Sequence, residues 1–341
     1  MHTGQRKKLL KWSVIGCVAM VVLAAVGYPY VLRGPEGEGT VKIMKGASLQ
    51  AVTDSVAAVA GGNYATRVKR MLGITGYKPG ETNMMFRVKK GESPLSFARR
   101  VGNGAQDGVR FTFNNVRTLD EWSARWGEKF LAGKDSMLQA LRDSAVCASV
   151  GKTPATVACL LLPDSYEFLW SVTPEKMLEG MKNYYDKFWD SDRQEKARKL
   201  GLNPDEVVVL ASIVEEETAK SDERGKVARL YLNRLQQGMR LQADPTVKFA
   251  LGDFTLQRIT AAMTQTDSPY NTYRVNGLPP GPIRLPEKAT IDAVLNAPQH
   301  DYTYMCAKED FSGYHNFTSS YEEHLANAKR YQNALNAKNI K

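Results

Sequence analysis

Twenty-one consecutive positions, Trp12 to Leu32, carry no Asp, Glu, Lys or Arg. At about 1.5 Å per residue, a helix of that length just covers a hydrocarbon core of roughly 30 Å. The run predicts one transmembrane helix over residues 12–32, and makes the rest of the chain a body tethered to one side of a bilayer. Arg6, Lys7, Lys8 and Lys11 precede the run and only Arg33 follows it closely. By the positive-inside rule, residues 1–11 form a cytoplasmic tail and everything after the span faces outward. A cleavable signal peptide is the alternative, since Leu23-Ala24-Ala25 offers small residues, but the run continues well past a normal signal core. Gly16-Cys17 does not fit a lipoprotein site, because too few apolar residues precede Cys17 and too many follow it.

The 308 residues beyond Arg33 are long enough for two domains. Half of the net charge of +10 sits in the first 33 residues, so the outer part is only mildly basic. That balance suits anionic wall polymers or lipid head groups, and the absence of a concentrated Lys/Arg block argues against nucleic acid. There are four His, no C-x-x-C, no H-E-x-x-H and no glycine-rich phosphate loop, so neither a metal nor another cofactor is expected. Cys147 and Cys159 stand twelve positions apart in what would be an oxidising compartment; a disulfide is one option and free thiols the other.

Breakers at 33–39 predict a linker that lets the body stand off the bilayer. After it, Thr40 to Met44 alternates as a strand, Lys45-Gly46 turns, and Ser48 caps a helix carrying Leu49, Val52 and Val56. The order recurs: Asn83 to Val88 as strand, Lys89 to Ser93 as turn and cap, Leu95 to Val101 as helix. This is the size of a small carbohydrate-binding module or of an ordinary α+β segment. Val109 to Phe113 reads as a strand, Thr118 and Glu121 as a capping box, and the chain to about 200 as helical, broken at Leu162 to Tyr166.

Asn203-Pro204-Asp205-Glu206 predicts a strong helix start, with Asn203 as cap, Pro204 at the first helical position and Glu206 completing a capping-box-like arrangement. The following helix is apolar on every side up to Glu215-Glu216-Glu217, which marks it as buried. At 100° per residue Leu210, Ile213 and Val214 share a face with Glu217, while Glu215 and Glu216 point away. Apolar neighbours would raise the pKa of Glu217 toward the range of a general acid. A solvated helix end, or pairing of the three Glu with Lys220 and Arg224, is the plainer alternative. A second helix is expected from Ser221, with Asp222 and Glu223 in its first turn, Val227, Leu230, Tyr231, Arg234 and Leu235 on one face and Gly238 ending it. Loops at 239–247, 268–273 and 276–283 mix amide, carboxylate and aromatic side chains with proline, a surface that suits sugars. For the Gly-Pro loop at 276–283, a structural turn is preferred.

The order Ala211-Ser212-Ile213-Val214-Glu215-Glu216-Glu217-Thr218, Asn233-Arg234-Leu235, Gly238 to Val247, Tyr270-Asn271-Thr272-Tyr273, Gly277 to Ile283, His315-Asn316-Phe317 and Glu323-His324 resembles the endolytic murein transglycosylase (YceG-like) family. The resemblance spans about residues 162–330. It implies an α+β protein: transmembrane helix 12–32, linker 33–39, a small LysM-like module at 40–117, and a mixed α+β catalytic domain at 118–341. It also implies an enzyme on the outer face of the inner membrane that cleaves the N-acetylmuramic acid–N-acetylglucosamine bond within nascent peptidoglycan strands. Glu217 matches the family's catalytic acid. Gln242, Asp244, Tyr270, Asn271 and Tyr273 are the substrate-orienting candidates, by motif membership. Peptidoglycan strands and the membrane are the implied partners, with peptidoglycan synthases expected from the family. His315 contacts sugar or stabilises a loop, and the loop role is preferred. Two other readings remain: a hydrolytic muramidase with Asp244 as second carboxylate, and a scaffold that binds glycan without cutting it.

Overall fold

The computed structural model describes residues 3–256 and 258–338; positions 1–2 of the expected tail and 339–341 of the expected catalytic domain lie outside them. Helix α1, Thr3–Val31, contains the stretch Leu10–Val31, with mean hydropathy 2.1, long and apolar enough to cross a membrane. The chain divides into two compact units, residues 1–110 with 167–172, and 111–166 with 173–341. Each is a mixture of helices and short strands.

In the first unit, β1 (Gly39–Ile43), α2 (Leu49–Ala60), α3 (Gly62–Ile74), β2 (Met84–Val88) and α4 (Pro94–Gly102) follow in order. β1 and β2 pair antiparallel, Val41 opposite Phe86. Side chains alternate across a strand, so Val41, Ile43, Met84, Phe86 and Val88 face inward while Lys42 and Arg87 face out. Val52 and Val56 of α2, Tyr64, Val68 and Leu72 of α3, and Phe97 and Val101 of α4 complete the core. Ser48 and Ser93 cap α2 and α4 as their positions predict, each accepting from the amide three residues on. Helix α3 is absent from the sequence expectation. Gly61, at φ 91°, ends α2 and starts α3 with no connecting loop, a junction that Gly allows at no steric cost. The breaker-rich segment also differs from a free linker: Glu36 N donates to Ala60 O, and Gly34 and Gly37 pass too close to the Gly91 and Val59 backbones to admit a Cβ.

β3 (Gly108–Phe113) continues into the second unit, followed by α5 (Leu119–Gly127), α6 (Gly133–Arg142), α7 (Ser144–Ser149), β4 (Asp164–Leu169), α8 (Pro174–Phe188) and α9 (Ser191–Lys199). The expected break at Leu162 to Tyr166 is largely β4, which pairs with β3. Thr118 caps α5, but the Glu121 carboxylate accepts from Arg117 N, so the reciprocal half of the capping box is replaced. Phe111, Phe113, Trp122 and Trp126 form an aromatic core with edge-on contacts. Cys147 and Cys159 are both free and buried; Sγ of one approaches the Leu141 carbonyl and of the other the Asp205 carbonyl.

The chain then forms α10 (Pro204–Glu217), α11 (Arg224–Gln236), α12 (Asp244–Leu251), α13 (Lys288–Leu295), β5 (Tyr304–Ala307), β6 (His315–Thr318) and α14 (Tyr321–Ala337). Asn203 and Glu206 make the full reciprocal capping box at the head of α10. Every residue from Val207 to Glu215 is buried, because α11, α12 and α13 pack around the helix. Ser212 is the one hydroxyl in that run; it donates to Val209 O at 2.6 Å and accepts from Ile283 N at 3.0 Å, fastening the Gly-Pro loop to α10. Gly281 lies in the same loop, where a Cβ would overlap the Ala155 carbonyl. Ser212→Ala strands the buried Ile283 amide and is expected to cost about 1–3 kcal/mol in equilibrium unfolding by urea.

Candidate active site

α10 ends at Glu217, and Thr218 leaves the helix in an extended conformation. The three glutamates therefore separate by environment. Glu215 is the most buried: its carboxylate pairs with Arg284 at 3.0 Å and accepts from Glu287 N and Thr290 Oγ1. Glu216 accepts from Arg117 and Arg284. The plainer expectation, pairing with Lys220 and Arg224, is not what forms; Arg224 binds Glu287 and Thr290. Helical phase set Glu215 and Glu216 apart from the Glu217 face, and in a helix enclosed by its neighbours those other faces are covered too.

Glu217 is the glutamate without an arginine bond. It lines a cavity of about 310 Å³ together with Tyr231 and Arg234 of α11, Gln242, Asp244, Tyr273, the β5 residues Met305 to Ala307, His315 and His324. Its Oε1 accepts from the Tyr231 hydroxyl at 2.6 Å. Burial raises its pKa from 4.5 to about 7; the Tyr231 bond pulls it down, and the Asp244 charge pushes it further up. The Tyr231 hydroxyl is itself held neutral by burial beside Glu217.

The walls are fixed by hydrogen bonds among the lining residues and the loops that carry them. Arg234 donates to Thr303 O at 2.6 Å and Leu241 O at 2.5 Å, tying α11 to the start of β5 and to the segment before α12. Gln242 sits at φ 51°, a left-handed conformation rare for residues with a Cβ, and its amide donates to Thr272 O. Thr272 Oγ1 accepts from Ala243 N and meets Thr246 Oγ1 at 2.9 Å, so residues 242–246 and 270–273 are clasped together. Asp244 accepts from the Tyr273 hydroxyl at 2.6 Å.

Of the sequence candidates, the structure brings Glu217, Gln242, Asp244 and Tyr273 to one cavity, and does not bring Tyr270 or Asn271 there. Asn271 is fully buried, and its carboxamide is spent on its own loop: it donates to Thr264 O and Thr266 O and accepts from Tyr273 N. Tyr270 packs on Phe249 and lines a separate cavity with Arg117 and Pro282. Sequence reasoning placed Tyr231 and Arg234 on one helix face, and Arg234 in a family motif, without giving either a role in the site; an arginine on a face otherwise apolar was the signal. Glu223 was expected in a helix first turn, but α11 starts one residue later, and the carboxylate binds His315.

The family model of the YceG-like family matches residues 41–330. The chain belongs to the YceG-like family. It is 32% identical over 179 residues to an endolytic murein transglycosylase of Bacillus subtilis, covering 52% of this chain and 49% of that one. It is 30% identical over 178 residues to the endolytic murein transglycosylase of Streptococcus pneumoniae, covering 51% of this chain and 32% of that one. The chain thus spans half or less of the curated relatives it matches. A YceG-like protein of Listeria monocytogenes has a similar crystal structure, with TM-score 0.54 and 25% identity over 85% of this chain and 99% of that one.

Proposed function

We propose that this YceG-like protein cuts peptidoglycan strands internally, as a lytic transglycosylase with Glu217 as its acid. The observation that carries the reading is a carboxyl at a cavity wall with its pKa near 7, set among amide, carboxylate and tyrosine side chains. The protonated carboxyl gives its proton to the glycosidic oxygen that leaves N-acetylmuramic acid. The resulting carboxylate takes the proton of the muramic 6-hydroxyl, which bonds to its own anomeric carbon and leaves a 1,6-anhydro end. An internal hydroxyl stands in for the activated water of an ordinary glycosidase, so one acid/base suffices. Gln242, Asp244 and Tyr273 are the substrate-orienting side chains. Tyr270 and Asn271 act, on this reading, by bracing the loop that presents Tyr273.

The apolar run 12–32, which α1 carries up to Val31, serves as the anchor, with the lysines and arginines before it on the cytoplasmic side and the chain after it outside. The LysM-like module at 40–117 is the part that holds glycan. The specific support for a hydrolytic reaction is Asp244, a second carboxylate on the same cavity. Incubating detergent-solubilised full-length protein with purified glycan strands free of cross-links tests the proposal: shorter strands should appear, and strands of unchanged length would refute it.

Donation needs the protonated acid, so kcat/KM should stay level below about pH 7 and fall as pH rises through it. Tyr231→Phe removes a donor that stabilises the carboxylate. Its falling limb should move upward by on the order of one pH unit, read from initial rates across buffers. A limb that stays in place or moves down would detach Tyr231 from the acid.

A further inference from the structure

His315, at the head of β6, is held more closely than a wall residue requires. Oε1 of Glu223 accepts its backbone N–H at 2.8 Å, and Oε2 lies 2.8 Å from its Nδ1. Oε2 also accepts from the hydroxyl of Thr218, the residue after Glu217, at 3.3 Å. The Glu223 side chain is 7% exposed. The backbone bond alone would secure the strand. The second bond fixes the ring plane and which nitrogen faces the carboxylate: a carboxylate only accepts, so Nδ1 carries a proton, and in the neutral form of the ring the lone pair is then on Nε2.

Of the other polar groups on this cavity, the Tyr231 hydroxyl is engaged by Glu217, the Tyr273 hydroxyl by Asp244 and Arg234 by two carbonyls, while Nδ1 of His324 has no partner among the described residues. Among the described residues, Nε2 of His315 has no hydrogen-bond partner. We propose that His315, oriented by Glu223, contacts substrate in the Glu217 cavity, its Nε2 accepting the hydrogen bond of a sugar hydroxyl beside the bond to be cut. This rests on the glycan-cutting function proposed above. It reverses the preference for a loop role drawn from sequence, since a loop brace has no use for a fixed tautomer.

Glu223→Gln separates the two roles. The carboxamide keeps the shape; its oxygen accepts the His315 amide, which turns its NH2 toward Nδ1. Nδ1 must then accept, the proton moves to Nε2, and the cavity loses an acceptor while both bonds to His315 and the packing persist and the Thr218 hydroxyl turns to accept the second N–H of the amide. In full-length protein, kcat/KM on purified glycan strands should fall roughly 30-fold with a thermal midpoint within about 2 °C of wild type. His315→Phe should fall at least as far, and His315→Gln, which can accept through its carbonyl, should recover part of the loss. In a Glu217→Gln background, adding Glu223→Gln should weaken binding to the same strands roughly 10-fold. This arm reads the contact without cleavage, so a wild type that cuts nothing refutes the proposed function while binding still decides His315. Activity and binding of Glu223→Gln within threefold of the parent, or losses that only track unfolding, would overturn the inference.

Discussion

Glu217→Gln is expected to lower strand cleavage by about 10²–10⁴-fold while making the protein more stable at neutral and alkaline pH. The amide keeps the shape of the side chain and accepts from Tyr231, but cannot donate the proton to a leaving oxygen. The stability gain follows from linkage. The folded-state pKa is raised from 4.5 to about 7, so burying the acid costs nothing below pH 4.5, progressively more between the two values, and a constant amount above. Gln escapes that cost. Relative to wild type, the variant should gain on the order of 3 kcal/mol above pH 7, and the gain should vanish as pH falls through 4.5. Urea unfolding at pH 8 and pH 4 checks this, and equal stability at both pH values would place Glu217 in an ordinary solvated setting.

Arg284→Met should be the most destabilising single change near the site. The guanidinium is 11% exposed and bridges Glu215, at 4%, and Glu216, at 14%. Removing it leaves carboxylates buried without their cation, about 3–5 kcal/mol, or roughly 6–20 °C in thermal midpoint for a unit of this size. Glu216 keeps Arg117, and Glu215 keeps the Thr290 hydroxyl, which favours the lower end. Replacing both members, Arg284→Met with Glu215→Leu, should recover much of the loss, because an apolar pair needs no compensating charge. A double-mutant cycle measures it; additive losses would mean that the pair does not act as a unit.

Local signals were legible where chemistry and position coincide. The Asn203–Glu206 box, Pro204 and the apolar run defined α10, and the Ser48 and Ser93 caps defined α2 and α4. Glu217 was singled out by helical phase, yet what sets it apart is the arginines that serve Glu215 and Glu216. Those arrive from residues 117 and 284, beyond the reach of a periodicity argument. Strands β5 and β6 are four residues each, too short to show a period, yet they bring Cys306 and His315 to the cavity. Tyr270 and Asn271 belong to the same motif as Tyr273; spacing within a turn does not reveal that one carboxamide is consumed by the turn itself. Glu223 looked like a helix-start acid because its partner lies 92 positions away.

The most direct test of the central claim is mass spectrometry of the glycan ends made by the full-length protein in water enriched in oxygen-18. A lone acid with an internal hydroxyl nucleophile predicts 1,6-anhydro-muramic ends that carry no label. Reducing muramic ends containing one heavy oxygen would contradict it, and would make Asp244 the carboxylate that activates water.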